Sequence, residues 1–136
     1  MRLVVDASVA IKWMIDEPDS ELADRLLDAG RDFVAPELLI AEVISAAWKQ
    51  LRRGGIGAAQ FDDIVIRIAG GPIEYRALRP LASRAAALAR ELDHPIYDCF
   101  YLALSESEGA PLVTADRRLV EACRGRPLAA RVQPLR

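Results

Sequence analysis

The sequence predicts an α/β fold, a parallel five-stranded sheet sandwiched by helices, in a single domain over residues 1–136. Three observations carry this. Short β-branched runs alternate with longer amphipathic segments along the whole chain, the pattern of strand–helix–strand crossovers. Helix-capping and helix-stopping residues separate the segments. A chain of 136 residues that is 52% hydrophobic and 28% charged can bury one real core, which excludes disorder.

Taken in order, Arg2–Asp6 (RLVVD) reads as a buried strand, and Ser8 is placed to cap the helix VAIKWMI, which Pro18 ends. DSELADRLLDAG reads as a second helix, capped near Asp19 or Ser20 and closed by Gly30. Asp32–Ala35 is the second strand, and Pro36 fits the first turn of a long helix, ELLIAEVISAAWKQLRR, stopped by Gly54 and Gly55. AAQFDDIVIRIA is a helix, IEYRAL the third strand and LASRAAALARELD an amphipathic helix. Pro95 opens the next helix, Pro111–Asp116 is the fourth strand, RRLVEAC a short helix and ARVQPL the fifth strand.

Composition narrows function. A net charge of -2 provides no bulk attraction to nucleic acid, so such binding requires a local basic patch. No uncharged run reaches the ~18–20 residues of a membrane span, and MRLVVDAS meets an Asp too early for a signal peptide; a cytoplasmic protein with no membrane partner is expected. Two cysteines make no disulfide framework and read as small buried hydrophobes. One histidine argues against a zinc site and a His-based triad.

Four acids stand out. Ligand sites in open α/β sheets lie beyond the carboxyl ends of the strands. Asp6 ends the first strand and Asp116 the fourth, Asp98 opens the helix that precedes the fourth, and Glu42 lies two turns into the helix after the second among apolar neighbours. Singly, each has a plain structural reading: Asp98 as a cap or first-turn acid, Asp6 and Asp116 as turn residues, Glu42 as a solvent-facing charge. Together they form a cluster whose mutual repulsion, about 4 kcal/mol per close pair at an effective dielectric near 20, calls for protons or a cation. Oxygen donors without His or Cys suit Mg²⁺ or Mn²⁺, which can activate water for phosphoryl chemistry.

The segments VVDASVAIKW, PELLIAEVISAAW and IYDCFYLALSESEGAPLVTAD with the following RRL resemble the PIN-domain ribonucleases, and more narrowly the VapC-type toxins of type II toxin–antitoxin (VapBC) pairs. The resemblance spans nearly the whole chain. It implies a PIN-like fold and a Mg²⁺-dependent endoribonuclease. Asp6, Glu42, Asp98 and Asp116 would be its acidic metal-binding set, and Ser8 and Thr114 would hydrogen-bond a carboxylate or the ordered water. Without the resemblance, Ser8 reads equally as a helix cap and Thr114 as a strand-end residue. The resemblance also implies an RNA substrate, a homodimer and a cognate VapB-type antitoxin seated in the active-site groove. Some relatives carry a further acid after Thr-x-Asp; Arg117 and Arg118 stand there instead, so one Mg²⁺ held by Asp6, Asp98 and Asp116, with Glu42 direct or through water, is expected.

Arg117, Arg118 and Lys12 are the candidate RNA contacts, against a plain reading as solvated or dipole-complementing charges. Arg52 and Arg53 close the Glu42 helix at its far end. Trp13, Met14, Trp48 and Phe61 are expected mostly in the core, with some left for a dimer face or antitoxin groove, and Tyr97 and Tyr101 are expected to pack. Three other readings compete: a phosphoacceptor receiver domain, which lacks the required Asp after the third strand and the required Lys; a PIN-like binding module without catalysis; and a PIN nuclease of RNA processing.

Overall fold

Five strands form one parallel sheet in the order β3-β2-β1-β4-β5. The computed structural model describes residues 1–136. The strands are β1 Arg2–Val5, β2 Asp32–Pro36, β3 Ile73–Arg76, β4 Leu112–Thr114 and β5 Val132–Pro134. The helices are α1 Ala7–Ala10, α2 Ser20–Asp28, α3 Leu38–Arg52, α4 Ala58–Gly70, α5 Ala82–Leu92, α6 Ile96–Glu108 and α7 Arg117–Cys123, with 3₁₀ turns at Ile11–Trp13, Arg79–Leu81 and Pro127–Arg131. The alternation therefore gives the fold that the sequence predicts, and every expected strand is present.

The local differences have physical causes. The first helix is capped by Asp6, not Ser8: the Asp6 side chain accepts from the Val9 N–H, and the chain tightens into a 3₁₀ turn after four α-helical residues. Pro36 stays in β2, opposite Arg76, because its missing N–H costs nothing at the end of a strand. The long helix therefore starts at Leu38, and Glu42 lies one turn into it rather than two. Asp116 lies beyond β4 and caps α7 by accepting from the Arg118 N–H at 2.9 Å.

The core is continuous. Val4 and Val5 of β1, Val34 and Ala35 of β2 and Leu112 and Val113 of β4 are buried, as expected of strands covered on both faces. The central helix α6 packs on β1, β2 and β4 and along α5. Its residues Cys99, Tyr101, Leu102, Ala103, Leu104 and Ser105 are all buried, which is why its sequence is apolar almost all round. Gly109 ends it at φ 62, a left-handed position that admits Gly without strain. Both cysteines are buried and free. Trp13, Met14 and Phe61 pack half-buried against the core, whereas Trp48 is exposed and meets Phe61 edge-on. No helix is long and apolar enough to cross a membrane.

The strand order reverses between β1 and β4, which pair through Val4–Leu112 and Val5–Val113. In open α/β sheets ligands bind at such a switch point, outside the carboxyl ends of the strands. Leu102 is fully buried beneath this central region. Leu102→Ala is expected to cost about 2–5 kcal/mol in urea unfolding, while Ile66→Ala, on a side chain that is 72% exposed, stays within about 0.5 kcal/mol. Equal losses would contradict the packing.

Candidate functional site

Asp6 and Thr114 face each other across the switch point, one residue past the last β1–β4 pair. Thr114 is fully buried, and its hydroxyl donates to Asp6 Oδ2. The Ser8 hydroxyl donates to Asp6 Oδ1 at 2.5 Å, and the Val9 N–H reaches the same oxygen at 3.2 Å. Ser8 Oγ also accepts from the Ala115 N–H at 2.9 Å, and Thr114 Oγ1 from the Asp116 N–H at 3.0 Å. The two hydroxyls thus tie the turn after β1 to the turn after β4. Asp6 is only 4% exposed, and burial pushes its carboxyl up to about 6 against the downward pull of these donors, with the charge of Asp98 adding to the rise.

Asp98 is the third residue of α6. Its Oδ2 accepts from Nε2 of His94 at 2.6 Å. The placement follows from the connection: Asp93 ends α5 in a left-handed turn and Pro95 starts α6, so His94 is pinned one turn ahead of Asp98. Burial raises the Asp98 carboxyl, the His94 contact lowers it, and Asp116 raises it further. Glu42 projects from α3 toward α6, where the hydroxyl of the buried Tyr101 donates to its Oε1 at 2.5 Å. Burial raises Glu42 too, against that hydrogen bond, and the charge of Asp98 raises it again.

The four predicted acids therefore share one edge of the sheet and feel one another's charge through Asp98. They do not converge on one point: no three His, Cys, Asp or Glu side chains are grouped to hold a single ion. Each is turned to a partner of its own, Asp6 to Ser8 and Thr114, Glu42 to Tyr101, Asp98 to His94 and Asp116 to the start of α7. The donor chemistry still fits a hard divalent cation. It is carboxylate oxygen, and a cation would relieve the burial and mutual repulsion that hold three of these groups above their ordinary values.

Two partners were not assigned from the sequence. His94 stands four residues before Asp98, a helical spacing that signals the contact. Tyr101 reaches Glu42 across 59 residues of chain, and no local pattern reports that. Among the expected basic contacts, Lys12 is otherwise engaged: its Nζ donates to Glu17 Oε1 at 3.2 Å and to the Pro18 carbonyl at 2.8 Å, clamping the loop before α2. Arg117 and Arg118 are exposed and outside every ion pair. Tyr101 packs as expected, but Tyr97 does not; it is 59% exposed beside the site.

The profile of the PIN domain matches residues 3–125. The chain belongs to the PIN-domain family. Among its curated relatives, Ribonuclease VapC3 of Pyrobaculum aerophilum is 30% identical over 123 residues, covering 89% of this chain and 94% of the relative. Ribonuclease VapC12 of Mycobacterium tuberculosis is 32% identical over 119 residues, covering 88% and 90%. The fold is shared with a toxin–antitoxin complex from Klebsiella pneumoniae, at TM-score 0.70 and 19% identity over 96% of this chain and 95% of that one. These relatives bear out the PIN-like fold and the VapC-type resemblance.

The buried carboxylate gives this PIN domain a signed pH dependence. The folded pKa of Asp6 lies above its unfolded value of 3.8, so the folded state holds this proton more tightly, and the group's contribution to stability falls as pH rises through about 4 to 6. In the absence of divalent ions, Asp6→Asn should gain stability relative to the parent by roughly 1 kcal/mol between pH 5 and 7.5, read from denaturant midpoints at constant slope. A pH-independent difference would show that Asp6 is not a strained buried charge.

Proposed function

We propose that this chain, acting as one PIN domain over residues 1–136, is a Mg²⁺-dependent endoribonuclease and the toxin of a VapBC-type pair. The observation that carries the reading is Asp6: a carboxylate buried at the sheet's switch point, held by two hydroxyls and an amide, with Asp98 pressing its charge on both Asp6 and Glu42. Its curated VapC relatives are ribonucleases by name.

In this reading Asp6, Asp98 and Asp116 would hold the ion, and Glu42 would join directly or through water. A bound Mg²⁺ would supply Lewis-acid activation of water for attack on a phosphate; Mn²⁺ suits the same donors. Ser8 and Thr114 fix the Asp6 carboxylate in one orientation, so it need not reorganise when substrate arrives. His94 and Tyr101 do the same for Asp98 and Glu42. Arg117 and Arg118, exposed and unpaired beyond Asp116, are placed to contact phosphates, whereas Lys12 is withdrawn from that role by its bonds to Glu17 and Pro18. A cognate VapB-type antitoxin as partner, a homodimer and a cytoplasmic setting complete the reading.

The substrate class is RNA with exposed single-stranded loops, because sequence-specific recognition of RNA targets unstacked bases. The test is cleavage of a panel of structured RNAs by antitoxin-free protein, with and without Mg²⁺, beside Asp98→Asn. Cleavage should require the metal and fall by more than about 100-fold in the variant, which stays folded. Equal cleavage by both proteins would sink the site assignment, and RNA binding without any cleavage would favour a binding module.

A further inference from the structure

An open groove of ≈ 450 Å³ leads away from Glu42 along the outer face of α3, between that helix and the start of α6. Ser45 and Ala46 line its course, Lys49 and Arg53 its far end, and Tyr97 its α6 side. Glu42, Ser45, Ala46, Lys49 and Arg53 fall at helical spacing on one stripe. Lys49 lies about 10 Å along the helix axis from Glu42, and Arg53 about 6 Å further. Small side chains by Ser45 and Ala46 keep the groove open near the acidic end. Tyr97 immediately precedes Asp98, and its ring is largely in solvent.

Two features there are unexplained by the fold. Neither Lys49 nor Arg53 takes part in an ion pair, so both head groups are free to meet an outside anion. Tyr97 is one of few large apolar side chains left exposed, and it is the one that touches the functional edge. Two free cations one turn apart, an exposed aromatic face and an acidic end form the combination that holds a single nucleic-acid strand: cations on the backbone, a ring beneath a base.

We propose that this groove seats the single-stranded segment of the RNA next to the bond to be cut, with a base stacked on Tyr97 and the backbone running over Lys49 and Arg53. The proposal rests on the ribonuclease reading and extends it. It places a binding subsite on the β2 side of the acidic edge, opposite to Arg117 and Arg118. Because Tyr97 stacks through its ring and makes no hydrogen bond in the fold, the subsite tolerates any base and adds affinity without choosing sequence.

The test uses full-length Asp98→Asn protein in Mg²⁺ and a fluorescein-labelled single-stranded RNA of about 12 nucleotides, with Kd read by anisotropy across a KCl series. Adding Tyr97→Ala should weaken binding roughly 5- to 150-fold at fixed salt and leave the salt slope unchanged. Tyr97→Phe should restore it. Lys49→Ala with Arg53→Ala should reduce the slope of log K against log salt by about 1.4, two single-strand phosphate contacts; residues that only complement the end of α3 would leave it unchanged. Failure of the parent to bind at low salt, unchanged affinity and slope in these variants, or a Tyr97→Phe protein as weak as Tyr97→Ala would overturn the proposal. So would conversion of an oligomer to a monomer by Tyr97→Ala in sedimentation, which would give this face to a second copy of the chain. The two readings fail separately: Tyr97-dependent binding with no metal-dependent cleavage by the wild-type protein removes the nuclease and keeps the groove, and cleavage beside Tyr97-independent binding removes only the groove.

Discussion

The arrangement of this edge depends on the carboxylate of Asp6. It is buried where the two halves of the sheet diverge, and it accepts from Ser8, Thr114 and the Val9 amide. Those donors come from α1 and from the end of β4, so one side chain caps a helix and joins two strands across the switch point. Neither hydroxyl is spare, since each also accepts from a backbone N–H on the β4 side. A buried carboxylate is costly even when fully hydrogen-bonded. That its pKa still lies near 6 means three donors do not offset burial beside Asp98. The remaining tension favours a cation at this edge, and it is intrinsic to the fold rather than to any flexible loop.

The other acids are arranged on the same principle, with a different donor for each. Tyr101 comes from the buried face of α6 and His94 from the tight α5–α6 connection, so the central helix supports Glu42 and Asp98 together. A hydrogen bond lowers each carboxyl while burial and neighbouring charge raise it, and burial is the larger influence in both. The edge is thus preorganised group by group but not assembled into one coordination shell. Neutral substitution at these positions should favour the ion-free fold and oppose function, the usual opposition between stability and activity at a strained site.

Much of this was legible in the sequence because it is local. Strand alternation, Gly and Pro punctuation and the all-round apolar character of residues 96–108 specify the sheet and its central helix. An Asp just past β1 and another just past β4 indicated the edge where ligands sit. The misreadings came where two local rules compete. Pro36 suits both a strand end and a helix start, and pairing with β3 decided for the strand. Asp6 and Ser8 can both cap α1, and the need of Asp6 for a buried donor turned Ser8 inward. Lys12 looked like a free cation only because its partners, Glu17 and the Pro18 carbonyl, lie in a loop with no periodic signature. Tyr101–Glu42 and Ser8–Ala115 join residues 59 and 107 positions apart, and such pairs are set by topology.

The topology also decides where positive charge can act. In the order β3-β2-β1-β4-β5, α3 follows β2 and α7 follows β4, so Lys49 and Arg53 flank the acidic edge on one side and Arg117 and Arg118 on the other. The chain as a whole carries -2, so attraction to a polyanion is confined to these flanks. At physiological ionic strength the field of an exposed charge fades within about 8 Å. On the proposed reading, a strand would be held on both sides of the acidic edge, with its centre repelled from the acids until a divalent ion neutralised them. On that reading, binding and chemistry would be coupled through the same carboxylates: an ion supporting hydrolysis would also remove the repulsion opposing entry of the phosphate. On the proposed ribonuclease reading, Mg²⁺ would strengthen RNA binding most for substrates that cross the acidic edge, and little for short strands that occupy one flank alone.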